Sequence, residues 1–286
     1  MALATLGIAE RQSLAQDPAD LPPPQIVQPG LTGGLEQAQK RPFWGSGATR
    51  WFVAATMEAG FVYLRPQIAL GYGKPHWSWV GIEGYSGVST GGGVEYAGLR
   101  ATTAFVDVRA GARYTYDIDQ HFLLPQESYS RADSELRRGS QSRYVALEAE
   151  ITGTVPLPQG SLFAVATGYA VVGVPPDYYV FEQSFHVIMA PPYVWRARLG
   201  YVASFGIDET LKVGAATEVI GIPGRDAFVV RAGPLLGVAL THHLEAVGAI
   251  MLVATSPDEL GLRGAEFGQV GLRYKWAAGD RWPEFP

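Results

Sequence analysis

Along residues 104–116 the chain alternates with a period of two. Ala104, Val106, Val108, Ala110, Ala112, Tyr114 and Tyr116 fall on one side, Phe105, Asp107, Arg109, Gly111, Arg113 and Thr115 on the other, and every charge is on the second side. Successive side chains of a strand point to opposite faces, so this is the pattern of a strand with one apolar and one polar face. A helix would scatter Asp107, Arg109 and Arg113 around its cylinder, because spacings of two and four follow no single helical stripe. The rule recurs. Val145, Leu147, Ala149 and Ile151 oppose Tyr144, Ala146, Glu148 and Glu150; Trp195, Ala197, Leu199, Tyr201, Ala203 and Phe205 oppose Arg196, Arg198, Gly200 and Ser204. Leu211, Val213, Ala215 and Val219 oppose Lys212, Gly214 and Glu218, and Phe228, Val230 and Ala232 oppose Val229, Arg231 and Gly233. The last strand sets Val270, Leu272, Tyr274 and Trp276 against Gln269, Gly271, Arg273 and Lys275.

Less regular strands are expected at Trp77–Tyr85, Val94–Arg100, Leu162–Val172 and Leu244–Ala254, and the run Trp51–Tyr72 is one long strand or two joined near Ala59–Gly60. Connections alternate in length: Thr241–His243, Gly206–Glu209 and Pro156–Gly160 are short, whereas Gly173–Tyr193 and Asp117–Ser142 are long. Short connections leave no room for crossover helices, which excludes an α/β fold. No apolar run approaches the roughly 20 residues of a membrane helix. The expected fold is therefore all-β: a closed antiparallel transmembrane β-barrel of about 12 strands, ten being the lower count, over residues 48–277.

Alternation alone fits a soluble barrel too, with the apolar face turned inward. Aromatic residues near the strand ends (Tyr114, Tyr116, Trp195, Phe205, Tyr274, Trp276) favour lipid, as interfacial girdles do. Charged residues make up only 17% of the chain, against about 25% in soluble domains. An Arg on the lipid face at mid-membrane costs ~2–4 kcal/mol, so the strand charges are expected in the lumen. The candidates are Asp107, Arg109, Arg113, Glu148, Glu150, Arg196, Arg198, Lys212, Glu218, Arg231 and Arg273, as an ion-pair network or a solute-selecting constriction.

The final strand resembles the C-terminal assembly signal of bacterial outer-membrane β-barrel proteins, porin-like in the broad sense. Gln269 stands at its polar position, Gly271 at its glycine, and Tyr274 and Trp276 at its two hydrophobic positions. The match spans eight residues, and ten more follow Trp276, where bacterial barrels usually end on the aromatic residue. The resemblance implies a place in the bacterial outer membrane, with outer-membrane lipids as partners and small solutes as occupants of the lumen.

Little in the sequence points to chemistry. There is no cysteine, which excludes thiol catalysis and thiolate metal sites. The net charge of −5, without a basic cluster, argues against a nucleic-acid partner. Neither a metal site nor a cofactor is expected: His242–His243 and His76 read as turn residues, and Gly91–Gly92–Gly93 as a turn without the Lys-Ser/Thr of a phosphate loop. Ser184 and His186 could share a face, so an enzyme acting on lipid or peptide at the rim, with His186 or His121 as base, is the alternative to a non-enzymatic channel or structural barrel. A soluble ligand-binding barrel is the third reading. The loop Ser128–Arg143, with Arg131, Arg137, Arg138 and Arg143, reads as solvated or as a contact for anions. The aromatic, proline-bearing loop Pro175–Pro192 could plug the barrel, cap it or meet a partner. Residues 1–47, with Pro22–Pro24 and Gly33–Gly34, read as a disordered tail and linker, with a signal remnant near Ser13–Ala15 as the alternative, and 278–286 as a C-terminal tail.

Overall fold

The computed structural model describes residues 43–279 except 61–62, 90, 136–138, 207–209 and 268–269. Its strands are β1 (Arg50–Gly60), β2 (Tyr63–Lys74), β3 (Ser78–Ser89), β4 (Gly92–Thr102), β5 (Val106–His121), β6 (Gln141–Leu157), β7 (Gly160–Val172), β8 (Val180–Glu182), β9 (Val187–Met189), β10 (Tyr193–Phe205), β11 (Leu211–Ile222), β12 (Ala227–Ala239), β13 (Leu244–Ala249), β14 (Leu252–Thr255) and β15 (Gly271–Ala277). All but β8 and β9 form one antiparallel sheet, and β15 pairs with β1 from Ala54↔Ala277 to Gly60↔Gly271. That pairing closes a barrel of twelve staves, β13 and β14 being two segments of one stave that both pair with β12. Closure of β15 on β1 removes the open edges that lipid would otherwise leave without hydrogen-bond partners at that seam.

The stave expected over Leu244–Ala254 is interrupted at Ile250–Met251. Gly233 of β12 permits this. A Cβ there would lie 1.7 Å from the Ile250 carbonyl oxygen. The run Trp51–Tyr72 resolves into β1 and β2, which pair from Arg50↔Gly73 to Ala59↔Leu64.

The outer face is apolar. Val53 and Met57 on β1, Ile68 and Leu70 on β2, Val80 and Ile82 on β3, and Leu147, Ile151 and Val155 on β6 are all exposed. Trp51, Tyr72 and Phe205 are exposed at the end with the short turns, and Tyr114, Trp195 and Phe228 toward the opposite end. Soluble monomers expose apolar patches of only a few hundred Å²; a belt around a closed barrel, flanked by aromatics, is a lipid-contacting surface. Most strand charges take the inner face; Glu95 on β4 and Arg143 on β6 are exposed on the outer parity toward the long-loop end. The chain is thus a transmembrane β-barrel, and the soluble alternative, which requires an apolar interior throughout, is corrected by this sidedness.

The described residues of the long connections 122–140, 173–192 and 256–270 lie at one end of the barrel. At the other end a one-turn helix, Phe43–Ser46, occupies part of the segment expected to be linker. Trp44 packs there on Phe52, Ala54, Ala69, Trp79 and Ala277. The expectations for residues 1–42, Arg137, Arg138, residues 207–209, Gln269 and residues 280–286 lie outside the described residues.

Candidate functional site: a charged lumen and an inward hairpin

The loop 173–192 folds into the bore. Its strands β8 and β9 pair as a hairpin, Val180↔Met189 to Glu182↔Val187, and all six of their residues are buried. The sequence explains why: Val180, Phe185, Val187 and Met189 have no polar atoms to hydrate, and inward residues of the staves near the long-loop end are apolar too. They pack with Tyr144, Tyr169, Val171, Val194, Ile220 and Val229 of β6, β7, β10, β11 and β12, while Phe181 and Ile188 join Leu123, Tyr129 and Leu260 from the other loops. Of the three fates open to this loop, it takes the plug.

Polar contacts tie the hairpin to the wall. Arg113 Nη2 donates to Glu182 Oε1 at 2.8 Å, and the Tyr144 hydroxyl donates to Glu182 Oε2 at 2.7 Å. Arg231 Nη2 donates to the carbonyl oxygens of Phe185 and His186 at 2.7 and 3.0 Å. Arg113 also donates to the Ser184 hydroxyl. The His186 ring bonds the Arg263 carbonyl oxygen through Nδ1 at 3.2 Å, and burial, with Arg231 nearby, lowers its pKa below the ordinary imidazole value. Ser184 and His186 are therefore each committed to other partners, and a nucleophile–base pair is not assembled. His121, the other candidate base, ends β5 with its Nδ1 buried and unpartnered among the described residues.

Below the hairpin the inner wall carries the strand charges. One chain of ion pairs runs Glu182–Arg113–Glu148–Arg109–Glu150–Arg196–Glu266–Arg198–Glu218–Arg231. It crosses β5, β6, β10, β11 and β12 and takes Glu182 from the hairpin and Glu266 from a loop. Asp107 pairs with Arg100, which also reaches Glu83. Arg273 bridges Glu58 at 2.6 Å and Glu245 at 3.0 Å, and Lys275 joins Glu245 at 2.9 Å. Lys212 shares the inward parity of Glu218, and its side chain stands exposed near the short-turn end, within electrostatic reach of Lys275. The other ten candidates all lie in these networks. Alternating signs on adjacent staves give each desolvated charge a neighbour, without which its burial would be strongly unfavourable.

The sequence-derived set omits Glu58, Arg65, Glu83, Arg100, Glu182, Glu245 and Glu266. Arg65 and Glu58 face each other across β1 and β2 in register, so parity could have found them once the strand break was placed. Glu182 ends the three-residue strand β8, too short to show a period, and Glu266 sits in a loop, where no period marks a facing.

These charges surround a cavity of about 400 Å³ lined from β1, β2, β3, β4, β5, β6, β7, β10 and β15. The hairpin occupies the bore beside it, with Phe185 stacked under Arg196 at 4.9 Å. At the short-turn end the histidines are packed rather than gathered about a centre: His242 stacks on Phe43, and His243 and His76 pack edge-on against Trp44.

No protein-family model and no curated protein matches the chain. Among solved structures it is similar to a loop L8 deletion mutant of OmpT, an outer membrane protein of Vibrio cholerae, with 8% sequence identity and a TM-score of 0.32 over 80% of this chain and 99% of that one.

Proposed function

We propose that the protein is a non-enzymatic channel of the bacterial outer membrane, its bore narrowed by the hairpin β8–β9 to a charged passage. The observation that carries this reading is the pairing of a polar, ion-lined cavity with a hairpin held in the bore by apolar packing and a few charged contacts. Twelve staves enclose more space than eight, whose interior side chains fill, and less than sixteen, which leave a wide aqueous pore. At this size an inserted segment and the wall charges decide what passes.

The test is conductance in planar lipid bilayers. Wild-type protein should give small steps, and replacing residues 180–189 by a short Gly-Ser link should enlarge them. Changing Arg196 or Arg198 to Gln should alter ion selectivity. Silence from both inserted proteins would reduce the assignment to a structural barrel.

A further inference from the structure

The described ion pairs of the lumen balance in charge, but the cavity wall does not. Seven cationic side chains and two carboxylates face it. The cause is side-chain length. Glu83 and Glu218 lie flat on the wall with side chains 0% exposed, whereas Arg65 and Arg100 reach into the space and keep 34% and 30% exposure. Glu83 and Glu218 are thus behind the surface, and only Glu58 and Glu150 share it with the seven cations.

Two of those groups are under-coordinated. Arg109 Nε lies 3.2 Å from Glu150 Oε1, and Arg196 Nη2 lies 3.6 Å from Glu150 Oε2, so Glu150 is the nearest carboxylate of both; beyond it Arg109 reaches Glu148 only at 3.9 Å. Arg196 reaches Glu266 only at 3.9 Å. Thr167, which accepts weakly from Arg196 at 3.4 Å, also donates to Glu150 at 2.9 Å. The Nε atoms of both arginines are buried and have no hydrogen-bond partner among the described residues. Each guanidinium carries five N–H donors in a planar fork that matches paired anionic oxygens, so both retain donors that Glu150 cannot satisfy.

We propose that this cavity binds a small solute bearing two or more carboxylate or phosphate groups, held between Arg109 and Arg196 with Arg100 and Arg198 as further contacts. A cavity of about 400 Å³ is within the range of small-molecule sites. The excess of cations attracts a multivalent anion more than a single one, and confinement in the bore limits screening by salt. This deepens the channel assignment and rests on it for the route by which the solute arrives. Binding itself needs no conductance.

The experiment is calorimetric titration of the refolded wild-type barrel in zwitterionic detergent at low salt, with citrate, inorganic phosphate, glucose and spermidine as probes. Citrate should bind most tightly, phosphate more weakly, and glucose and spermidine not at all. Losing charge-assisted hydrogen bonds in R196Q should weaken citrate by roughly tenfold. E150Q, which releases both guanidinium groups from their carboxylate, should tighten it. Misfolding cannot produce a gain, so the second variant keeps the test decisive even where the first destabilises the barrel. Citrate binding no better than glucose, or unchanged in both variants, overturns the site. Citrate binding without conductance keeps the site and removes the channel; conductance without citrate binding does the reverse.

Discussion

Arg113 on β5 and Glu182 on the hairpin form an ion pair at 2.8 Å with both side chains fully buried. One partner belongs to the wall and the other to the plug, so the pair is the joint between them. Arg113 also lies 4.6 Å from the centre of the Tyr169 ring, and Tyr144 donates to the same carboxylate. Removing Glu182 costs Arg113 its closer carboxylate and leaves it Glu148 at 3.3 Å, so the loss stays below the roughly 3–5 kcal/mol of a buried charge left wholly unpaired. Glu182→Ala should therefore loosen the hairpin while leaving the lipid-facing belt intact. Protease cleavage within 173–192 should accelerate, and bilayer conductance should rise; unchanged cleavage would show that the apolar contacts alone hold the hairpin.

Much of this barrel could be read from the period of two, because a stave between lipid and lumen has faces of opposite chemistry. The pattern on β5 sends Asp107, Arg109 and Arg113 one way and Val106, Val108 and Tyr114 the other, and β6, β10 and β11 repeat it. What could not be read is the plug. Val180, Phe181 and Ile188 would look the same in a cap or a partner-binding loop, since their burial depends on apolar residues of staves distant in sequence. The interruption at Ile250–Met251 is equally silent, because Leu252 and Val253 remain good strand formers on either reading.

The lipid belt predicts a depth-dependent penalty. Ile151 is exposed on the outer face of β6 and lies some six residues from the strand's short-turn end at Leu157. A tilted strand crosses the bilayer core in about 9–11 residues, which puts Ile151 near the midplane and Leu157 near the interface. Ile151→Arg should lower unfolding free energy in lipid vesicles by ~2–4 kcal/mol, and Leu157→Arg by ~0–1 kcal/mol. Equal penalties in guanidinium titrations would contradict this placement.

Acid sensitivity is predicted at the short-turn end. His76, in the turn between β2 and β3, donates through Nε2 to the Trp276 carbonyl oxygen at 2.9 Å and packs against Trp44. Burial pushes its pKa down from 6.5 to about 4, with Lys275 and Arg100 acting in the same direction and Glu245 and the Trp276 bond opposing. The unfolded imidazole takes up its proton near pH 6.5 and the folded one near pH 4, so between these values the unfolded state binds more protons. Stability should fall as pH drops through that window, by on the order of 3 kcal/mol, and level off below it. His76→Asn, which tolerates the left-handed backbone at φ 55°, should flatten the slope of thermal midpoint against pH. Part of the slope should remain through His186, whose pKa is also lowered. A slope unchanged in His76→Asn would assign the effect elsewhere.

At the long-loop end Arg225 acts as a clamp. It lies in the turn Pro223–Arg225 between β11 and β12 and donates to both Asp258 oxygens, at 2.7 and 2.8 Å. The same guanidinium donates to the Ile188 carbonyl oxygen of the hairpin at 2.9 Å and to that of Glu127 at 3.0 Å. It also covers the Tyr129 ring at 5.1 Å. One side chain therefore ties together the loops 122–140 and 256–270 and the hairpin, using donors in a fixed planar fork. A lysine has the charge but cannot reproduce the two-pronged contact with Asp258 or span the remaining acceptors. Arg225→Lys should thus lie closer to Arg225→Ala than to wild type, with the Ala variant losing about 3–5 kcal/mol by leaving Asp258 buried and unpaired. Protease cleavage in the two loops, followed alongside thermal melts, should accelerate in both variants; protection equal to wild type in Arg225→Lys would mean that charge alone suffices to hold the loops.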